Sequence, residues 1–175
     1  MQRIIKLGLF CVAGLLAGVA PVARAQTETE PRPIQLAWFP RFSPDGEWLA
    51  SAHGRWDQLD RGELRIRHAR TGQDFITYEH ARGVRTVAWA PKSKRIVTGG
   101  YGGDIHTFDT DTGQRVETMR PGSQVENLLI TPDEKLLIST HGTGSVILFD
   151  FVTREQTYKW ERIHQGGIWG VSLSH

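Results

Sequence analysis

The sequence predicts an all-β protein built from repeated four-stranded units. In the stretch 80–119, short apolar runs alternate with turns that contain Pro91 and the glycines of 99–103. Proline and glycine interrupt strand ladders and set turn geometry, so this pattern predicts antiparallel strands joined by tight turns. The same block recurs on both sides of the stretch. The repeat therefore predicts the fold of most of the chain.

The length of the repeat narrows the architecture. Thr71, Thr112 and Thr153 fall in the third turn of successive units, at intervals of about 41 residues. A unit of this length with four strands is typical of a β-propeller blade rather than of a sandwich. The predicted organisation is blade repeats at 34–79, 80–119 and 120–162, with the start of a fourth repeat at 163–175.

The N-terminal segment has a different composition. Two basic residues precede an apolar run over 7–20, and Ala23-Arg24-Ala25 adds small residues before Gln26. This three-part pattern predicts a signal peptide over 1–25, cleaved after Ala25, and hence a secreted or periplasmic protein. The alternative is a membrane anchor, for which the run is shorter than the ~20 residues a spanning helix needs. Residues 26–33 are polar and proline-rich, and we expect a flexible linker there.

Charge and cysteine content exclude several functions. The chain has 21 Lys and Arg against 19 Asp and Glu, and removing Arg3, Lys6 and Arg24 with the N-terminal segment leaves 18 basic residues. A near-neutral chain lacks the basic footprint of nucleic-acid binding, so we expect no nucleic acid as partner. The single cysteine, Cys11, lies in the same segment. A processed chain would therefore have no disulfide and no Cys-based metal site.

Short motifs within the units resemble a known family. Phe108-Asp109 and Phe149-Asp150 stand where WD-repeat propellers have Trp-Asp, and 43–46 (Ser-Pro-Asp-Gly) resembles their inner turn. His80 and His164 resemble the histidine that precedes the inner strand of that family. Over residues 34–175 the chain resembles the WD-repeat β-propeller family, as an apparently truncated member of a bacterial, secreted type.

The resemblance also has departures. In that family a His, a Ser or Thr, a turn Asp and the Trp form a hydrogen-bonded network within each blade. The second repeat keeps His80 and Thr98 but has Gly102 at the turn position, and the third has Pro121 in place of the His and keeps only Ser139. The resemblance thus implies blades that depend more on apolar packing than on buried hydrogen bonds.

Blade number is a second departure. Propellers close with ~4–8 blades, and this chain has three repeats and one further strand. An open arc leaves apolar faces and an unpaired edge. We expect either a piece of a longer propeller, or self-association or another chain that completes the ring.

The resemblance implies a binding surface formed by the loops after each second strand and between blades. Trp, Tyr and Arg are enriched at binding hot spots. In the loop that begins at Arg55, a core lid is an equally good interpretation of Trp56. The candidate partner-binding residues are Arg55, Trp56, Asp57, Arg82, Tyr101, Asp104, His141 and Trp169.

No catalytic, metal or cofactor site is predicted. There is no G-x-S-x-G elbow, and the glycines of 99–103 lack the Lys and the helix of a phosphate loop. The segment 109–113 resembles part of a calcium loop but lacks its later bidentate Glu. The seven histidines show no compact metal spacing.

We therefore expect a non-catalytic protein-interaction scaffold, exported from the cytoplasm, with protein partners on the loop face and no membrane contact after cleavage. The alternative is a fragment of a propeller-based oxidoreductase or hydrolase whose catalytic residues lie in missing blades or another domain. A non-functional remnant is a third interpretation. Sequence beyond His175 would separate them.

Overall fold

The computed structural model describes residues 37–55 and 61–174. These residues form three antiparallel sheets of four strands each, with strands paired in chain order. They contain no helix, so none there could span a membrane. The predicted all-β fold of three four-stranded repeats is confirmed, but residues 163–174, where the first strand of a fourth repeat was predicted, form no strand. The predicted signal peptide with its cleavage site, the linker 26–33, and Trp56 and Asp57 lie outside the described residues.

Each sheet is called a blade and numbered in chain order. Blade 1 comprises β1 (Ala37–Phe42), β2 (Trp48–Gly54), β3 (Gly62–His68) and β4 (Asp74–His80). Blade 2 comprises β5 (Val84–Trp89), β6 (Arg95–Gly100), β7 (Ile105–Asp109) and β8 (Arg115–Met119). Blade 3 comprises β9 (Val125–Ile130), β10 (Leu136–His141), β11 (Val146–Asp150) and β12 (Gln156–Trp160).

Local chemistry fixes the turns between strands. In blade 2 the Asp109 carboxylate accepts hydrogen bonds from the backbone N–H groups of Asp111, at 3.0 Å, and Thr112, at 2.8 Å. Asp150 closes the equivalent turn of blade 3 in the same way. Gly113 follows with φ +73°, a left-handed conformation that glycine adopts without steric cost. These Asx turns account for the Asp-x-x-Thr pattern that 109–112 and 150–153 share.

Apolar side chains pack between neighbouring blades. One buried cluster joins blades 1 and 2 and includes Leu64, Val87 and Phe108. A second joins blades 2 and 3 and includes Val97 and Leu137. Every blade thus presents apolar side chains to its neighbour, because alternate residues of a strand point to opposite faces of the sheet.

The two ends of the blades differ. The loop end carries the β2–β3, β6–β7 and β10–β11 loops and the connections between blades. The turn end carries the β1–β2 and β3–β4 turns and their equivalents. Near the loop end, β5 and β9 each contain a register shift, one around Arg85 and one around Glu126. Such bulges redirect a side chain out of the regular alternation.

Candidate functional site

The first strands of the three blades (β1, β5 and β9) are called the inner strands. Equivalent positions of these strands meet at the loop end. Ala37, Val84 and Val125 pair with equivalent residues of the second strands, which makes Trp38, Arg85 and Glu126 equivalent. The Arg85 guanidinium lies 5.3 Å from the centroid of the Trp38 ring. Arg85 Nε forms an ion pair with Glu126 Oε2, and the two side chains are 13% and 5% exposed. One guanidinium therefore contacts side chains of both adjacent blades.

Further polar contacts surround this ion pair. Arg85 Nη1 donates a hydrogen bond of 3.0 Å to the Tyr101 hydroxyl. Gln124 Nε2 donates one of 2.8 Å to Glu126 Oε1. Because a buried ion pair needs additional hydrogen bonds to offset its desolvation, these contacts to Arg85 Nη1 and Glu126 Oε1 help to stabilise it. The loop end thus has a cross-linked base formed by residues of three blades.

Several predicted binding residues lie on top of this base. Arg82 is exposed, and Asp104 is half-buried and forms an ion pair of 3.6 Å with exposed Arg120. Trp169 is 68% exposed, and its backbone oxygen accepts a hydrogen bond of 3.2 Å from Asn127 Nδ2. Tyr101 is held by Arg85. The structure therefore supports these side chains from beneath.

Arg55 follows the last residue of β2, at the same end of blade 1, and is half-buried. Its neighbours Trp56 and Asp57 lie outside the described residues. Their predicted part in the binding surface therefore remains a prediction.

His141 differs from the expectation of an exposed binding residue, because it is fully buried. Its Nε2 lies 2.8 Å from Ser139 Oγ, and its Nδ1 lies 3.0 Å from Ser123 Oγ. Burial lowers its pKa below the ordinary value, and hydrogen bonds to the backbone of Ser123 and Gln124 as acceptors oppose this shift. The His141 side chain points inward from β10. It therefore contacts Ser123 and Ser139 instead of facing a partner.

Blade 1 repeats the contact between the histidine Nε2 and the serine of the same strand. Ser51 Oγ lies 2.8 Å from His53 Nε2 in β2. Burial, followed by the nearby positive charge of Arg65, lowers the pKa of His53 to about 4. A Ser-x-His motif in the second strand is the signal that could have identified both pairs, as Ser51-Ala52-His53 and Ser139-Thr140-His141. The third repeat therefore has a buried imidazole even though Pro121 replaces the expected histidine.

In blade 2 the equivalent imidazole comes from a residue of blade 1. Gly100 stands where the other blades have histidine, and His80 at the end of β4 places Nε2 3.3 Å from Thr98 Oγ1. This pair matches the predicted His80 and Thr98 contact. The His80 ring lies 4.9 Å from the His106 ring, and burial, with His106 and Arg115, lowers the pKa of His80 to about 3.

Metal-binding geometry is absent from the part of the chain that the structure describes. No three His, Cys, Asp or Glu side chains within 37–55 and 61–174 are grouped so that they could hold a metal ion. The His80 and His106 pair also contacts threonine hydroxyls, since His106 Nδ1 lies 2.9 Å from Thr118 Oγ1.

The described blades have the fold of a WD-repeat β-propeller, and one stretch of the chain matches a WD-repeat family model. The model of the family "WD domain, G-beta repeat" matches residues 72–109. The blades also resemble a chain in the crystal structure of the Mitotic Checkpoint Complex, with a TM-score of 0.65 and 28% identity. That match covers 76% of this chain and 41% of the other.

Curated relatives share part of the sequence. WD repeat-containing protein slp1 of Schizosaccharomyces pombe is 42% identical over 71 residues, which are 39% of this chain and 14% of the relative. Cell division cycle 20.1, cofactor of APC complex, of Arabidopsis thaliana is 40% identical over 67 residues, or 37% of this chain and 15% of the relative. The chain thus matches about a seventh of each relative's length. These names denote WD-repeat and cofactor proteins, in agreement with the predicted non-enzymatic class.

The predicted secreted or periplasmic location is wrong. The similar proteins include Cell division cycle 20.1, cofactor of APC complex, and a chain of the Mitotic Checkpoint Complex, which are intracellular cell-cycle proteins. The similarity likewise gives no support to a bacterial, secreted type. The prediction rested on the hydropathy of 1–25 alone. A pattern of basic, apolar and small residues reflects only the composition of that one segment.

Proposed function

We propose that this chain is a non-catalytic scaffold that binds a protein partner at the loop end of its blades. The observation that carries the proposal is the chain of contacts Trp38–Arg85–Glu126, which fixes three inner strands to one another below that surface. A surface that is rigid before binding loses less conformational entropy when a partner docks.

The side chains on this surface fit the chemistry of a protein interface. Arg82, Tyr101 and Trp169 belong to the residue types that dominate binding energies. Arg82 and Trp169 are exposed, while Tyr101 is half-buried on Arg85. The relatives named as a cofactor of APC complex and as part of the Mitotic Checkpoint Complex support a partner that is itself a protein assembly. Arg55, Trp56, Asp57 and Asp104 remain part of the proposed surface.

A further proposal concerns the open face of blade 3. Tyr158 and Trp160 of β12 are 52% and 42% exposed, and their rings lie 4.6 Å apart. Aromatic rings exposed on a sheet face are suited to packing against another blade. A second copy or another chain that completes the ring would cover them. Light scattering of the purified chain would detect self-association, and Tyr158→Ser with Trp160→Ser should then yield monomer.

Affinity purification with mass spectrometry tests the binding surface. The tagged chain is compared with a loop-end variant, Arg82→Glu with Arg120→Glu, and with a turn-end control, Arg70→Glu with Lys135→Glu. All four positions are exposed, so each variant should fold. Reversing a rim charge changes association with a charged partner, here by about tenfold.

The expected result is a set of proteins captured by the parent chain and the control but lost from the loop-end variant. Capture of the same proteins by all three chains would show that the loop end does not bind them.

A further inference from the structure

The turn end holds an aromatic surface that the proposed function does not use. It forms the floor of a cavity of about 650 Å³ between blades 1 and 2. The rings of Trp48 and Phe75 lie 4.5 Å apart on this floor. Trp89 of blade 2 completes it and is fixed by a hydrogen bond of 3.0 Å from its Nε1 to the backbone oxygen of Arg41. Because Phe75 stays 49% exposed, the aromatic surface is accessible to a ligand.

The cations beside the aromatic surface each have a carboxylate as neighbour, through an ion pair, a cross-strand pair or a hydrogen bond. These pairs are Lys94 with Asp111, Arg95 with Asp109, and Lys92 with Glu134. Their charges are therefore already compensated, and they offer little attraction to an anion.

The blade 1 side of the cavity has a carboxylate without such a neighbour. Asp45 closes the β1–β2 turn, since its Oδ1 accepts hydrogen bonds from Ser43 Oγ and from the backbone N–H of Glu47. These two hydrogen bonds lower the pKa of Asp45, so its carboxylate is charged at neutral pH. Within 37–55 and 61–174 no basic side chain forms an ion pair with it. The uncompensated charge of the cavity is thus negative.

The same turn of blade 3 is neutralised within the chain. Asp133 accepts turn hydrogen bonds equivalent to those of Asp45, and its Oδ2 lies 3.6 Å from Lys135 Nζ. The residue of blade 1 equivalent to Lys135 is Glu47, because both follow the aspartate by two positions. Beside the aromatic surface, an acid therefore stands where blade 3 has the compensating cation.

The junction between blades 2 and 3 shows how a cation is held at the turn end. The Arg154 guanidinium lies 4.3 Å from the Phe151 ring, and its Nε lies 2.6 Å from Glu117 Oε2. A guanidinium is stabilised both by the face of an aromatic ring and by a carboxylate. Between blades 1 and 2 the residue equivalent to Arg154 is Gly113, which supplies no cation. Aromatic rings and a free carboxylate share that cavity, and the chain provides no guanidinium to them.

We propose that the aromatic surface binds an arginine side chain from a basic segment of a partner protein, with the guanidinium over Trp48 and Phe75 and beside the Asp45 carboxylate. Arginine is favoured over lysine, because a planar guanidinium stacks on aromatic rings and is more weakly hydrated than an ammonium group. The site lies at the opposite end of the blades from the loop end. It is therefore a second contact surface, independent of the proposed function.

Peptide selection on the full chain tests the proposal. A random dodecapeptide library displayed on phage is selected against the 175-residue chain, and enriched peptides are synthesised with a fluorescent label for anisotropy titration. We expect enriched sequences that contain arginine. Each selected peptide is also made with citrulline in place of arginine, which keeps the shape of the side chain but removes its charge. The citrulline form should bind about tenfold more weakly.

Charge variants test the part played by the β1–β2 turn. Asp45→Asn keeps an oxygen that can accept the hydrogen bonds of the turn but removes the charge, and it should weaken binding about tenfold. Asp133→Asn makes the same change in blade 3 and should leave binding unchanged. Glu47→Lys gives blade 1 the cation that Lys135 provides in blade 3, and it should also weaken binding.

A second pair of variants locates the guanidinium on the aromatic surface. Phe75→Ser should weaken binding about tenfold. Val116→Ser, at the equivalent position of blade 2 by strand register and 51% exposed, should not. Circular dichroism confirms that each variant is folded.

Two outcomes would overturn the proposal. One is a selection that enriches no arginine-containing peptide. The other is a set of arginine-containing peptides that bind Asp45→Asn and Phe75→Ser as tightly as the parent chain, since they would then be bound elsewhere.

Discussion

The junction between blades 2 and 3 is fastened by charged groups, whereas the junction between blades 1 and 2 depends mainly on apolar contacts. Between blades 2 and 3, Arg154 Nε lies 2.6 Å from Glu117 Oε2, and the Glu134 carboxylate accepts hydrogen bonds from two backbone N–H groups of blade 2. Between blades 1 and 2, the residues equivalent to Arg154 and Glu117 are Gly113 and Ile76, which lie against each other without any charge. The same repeat thus builds two kinds of contact from the same backbone positions.

The difference shows which parts of a blade are free to vary. Both junctions keep a buried apolar cluster, so that cluster supplies the common stabilisation. The groups at the turn end vary, and where charged bridges are missing an open aromatic groove remains. Arg85 takes part in both junctions, through the Trp38 ring on one side and the Glu126 carboxylate on the other.

The largest effect is expected when the buried ion pair is broken. Glu126→Leu leaves Arg85 buried without its partner and should lower the free energy of unfolding by about 3–5 kcal/mol. Urea denaturation followed by circular dichroism measures it. Asp111→Ala, which breaks the exposed pair with Lys94, serves as control and should cost about 0–1 kcal/mol.

A double variant sharpens this test. Arg85→Leu with Glu126→Leu removes both charges and should cost less than Glu126→Leu alone, because no uncompensated charge remains buried. A double variant that is less stable than the single one would mean that Arg85 stabilises the blades mainly through Trp38 and Tyr101.

Acid should weaken the blades through their buried histidines. The native pKa of His80 is about 3 and that of His53 about 4, both below their ordinary value of 6.5. Between these values and pH 6.5 the unfolded chain binds more protons than the native chain, so stability is full above pH 6.5 and falls as the pH decreases. Each of these two histidines should lower the free energy of unfolding by about 2 kcal/mol between pH 7 and pH 5.

Urea denaturation at the two pH values measures this loss. His80→Gln should show a smaller pH dependence than the parent chain. An unchanged dependence in His80→Gln would show that native His80 takes up protons as readily as the unfolded chain.

Arg154 distinguishes the charged bridge from backbone strain. It has φ +66°, a left-handed conformation that favours glycine, and its guanidinium lies 4.3 Å from the Phe151 ring. Arg154→Ala loses the ion pair and keeps the strain, at a cost of about 2 kcal/mol. Arg154→Gly loses the ion pair but relieves the strain, so it should be about 1 kcal/mol more stable than Arg154→Ala.

Thermal denaturation of the two variants gives that difference. The outcome that contradicts this account is an alanine variant at least as stable as the glycine variant, since the left-handed backbone would then carry no cost.

The smallest effect is expected at Glu134, which also has a left-handed backbone, with φ +61°. Glu134→Gly removes the carboxylate bridge to blade 2 and should cost about 1 kcal/mol net, because relief of the backbone offsets part of the lost hydrogen bonds. Hydrogen exchange at the Lys92 and Ser93 amides should accelerate. Protected amides in this variant would mean that they have other acceptors.

The sequence was sufficient to predict the strands and their sheets. Turn residues and a regular repeat fix strand pairing locally, and the turn formed by Asp109 and Thr112 is a property of that segment alone. The contact between His80 and Thr98 followed from the resemblance to WD repeats. These features depend on short stretches of chain or on a pattern shared by many blades.

The candidate site was harder to predict, because it depends on small departures from strand geometry. The register shift at Arg85 determines that its side chain points to a neighbouring blade. Such a bulge cannot be predicted from the residue types around it. The resemblance to WD repeats placed His141 on the binding surface, but alternation along β10 directs its side chain inward to Ser139. The aromatic surface between blades 1 and 2 arises from Phe75 and Trp48, which lie far apart in the repeat and meet only in the folded sheet.

The row of inner-strand positions that contains Arg85 gives the blades a fixed order. Reading from one blade to the next, these positions are Trp38, Arg85 and Glu126. If the segment encoding blade 2 were duplicated in tandem, two guanidinium groups would face each other in a desolvated site, and like charges there repel. A copied blade would therefore need a different residue at the position of Arg85. The repeats are thus not interchangeable modules.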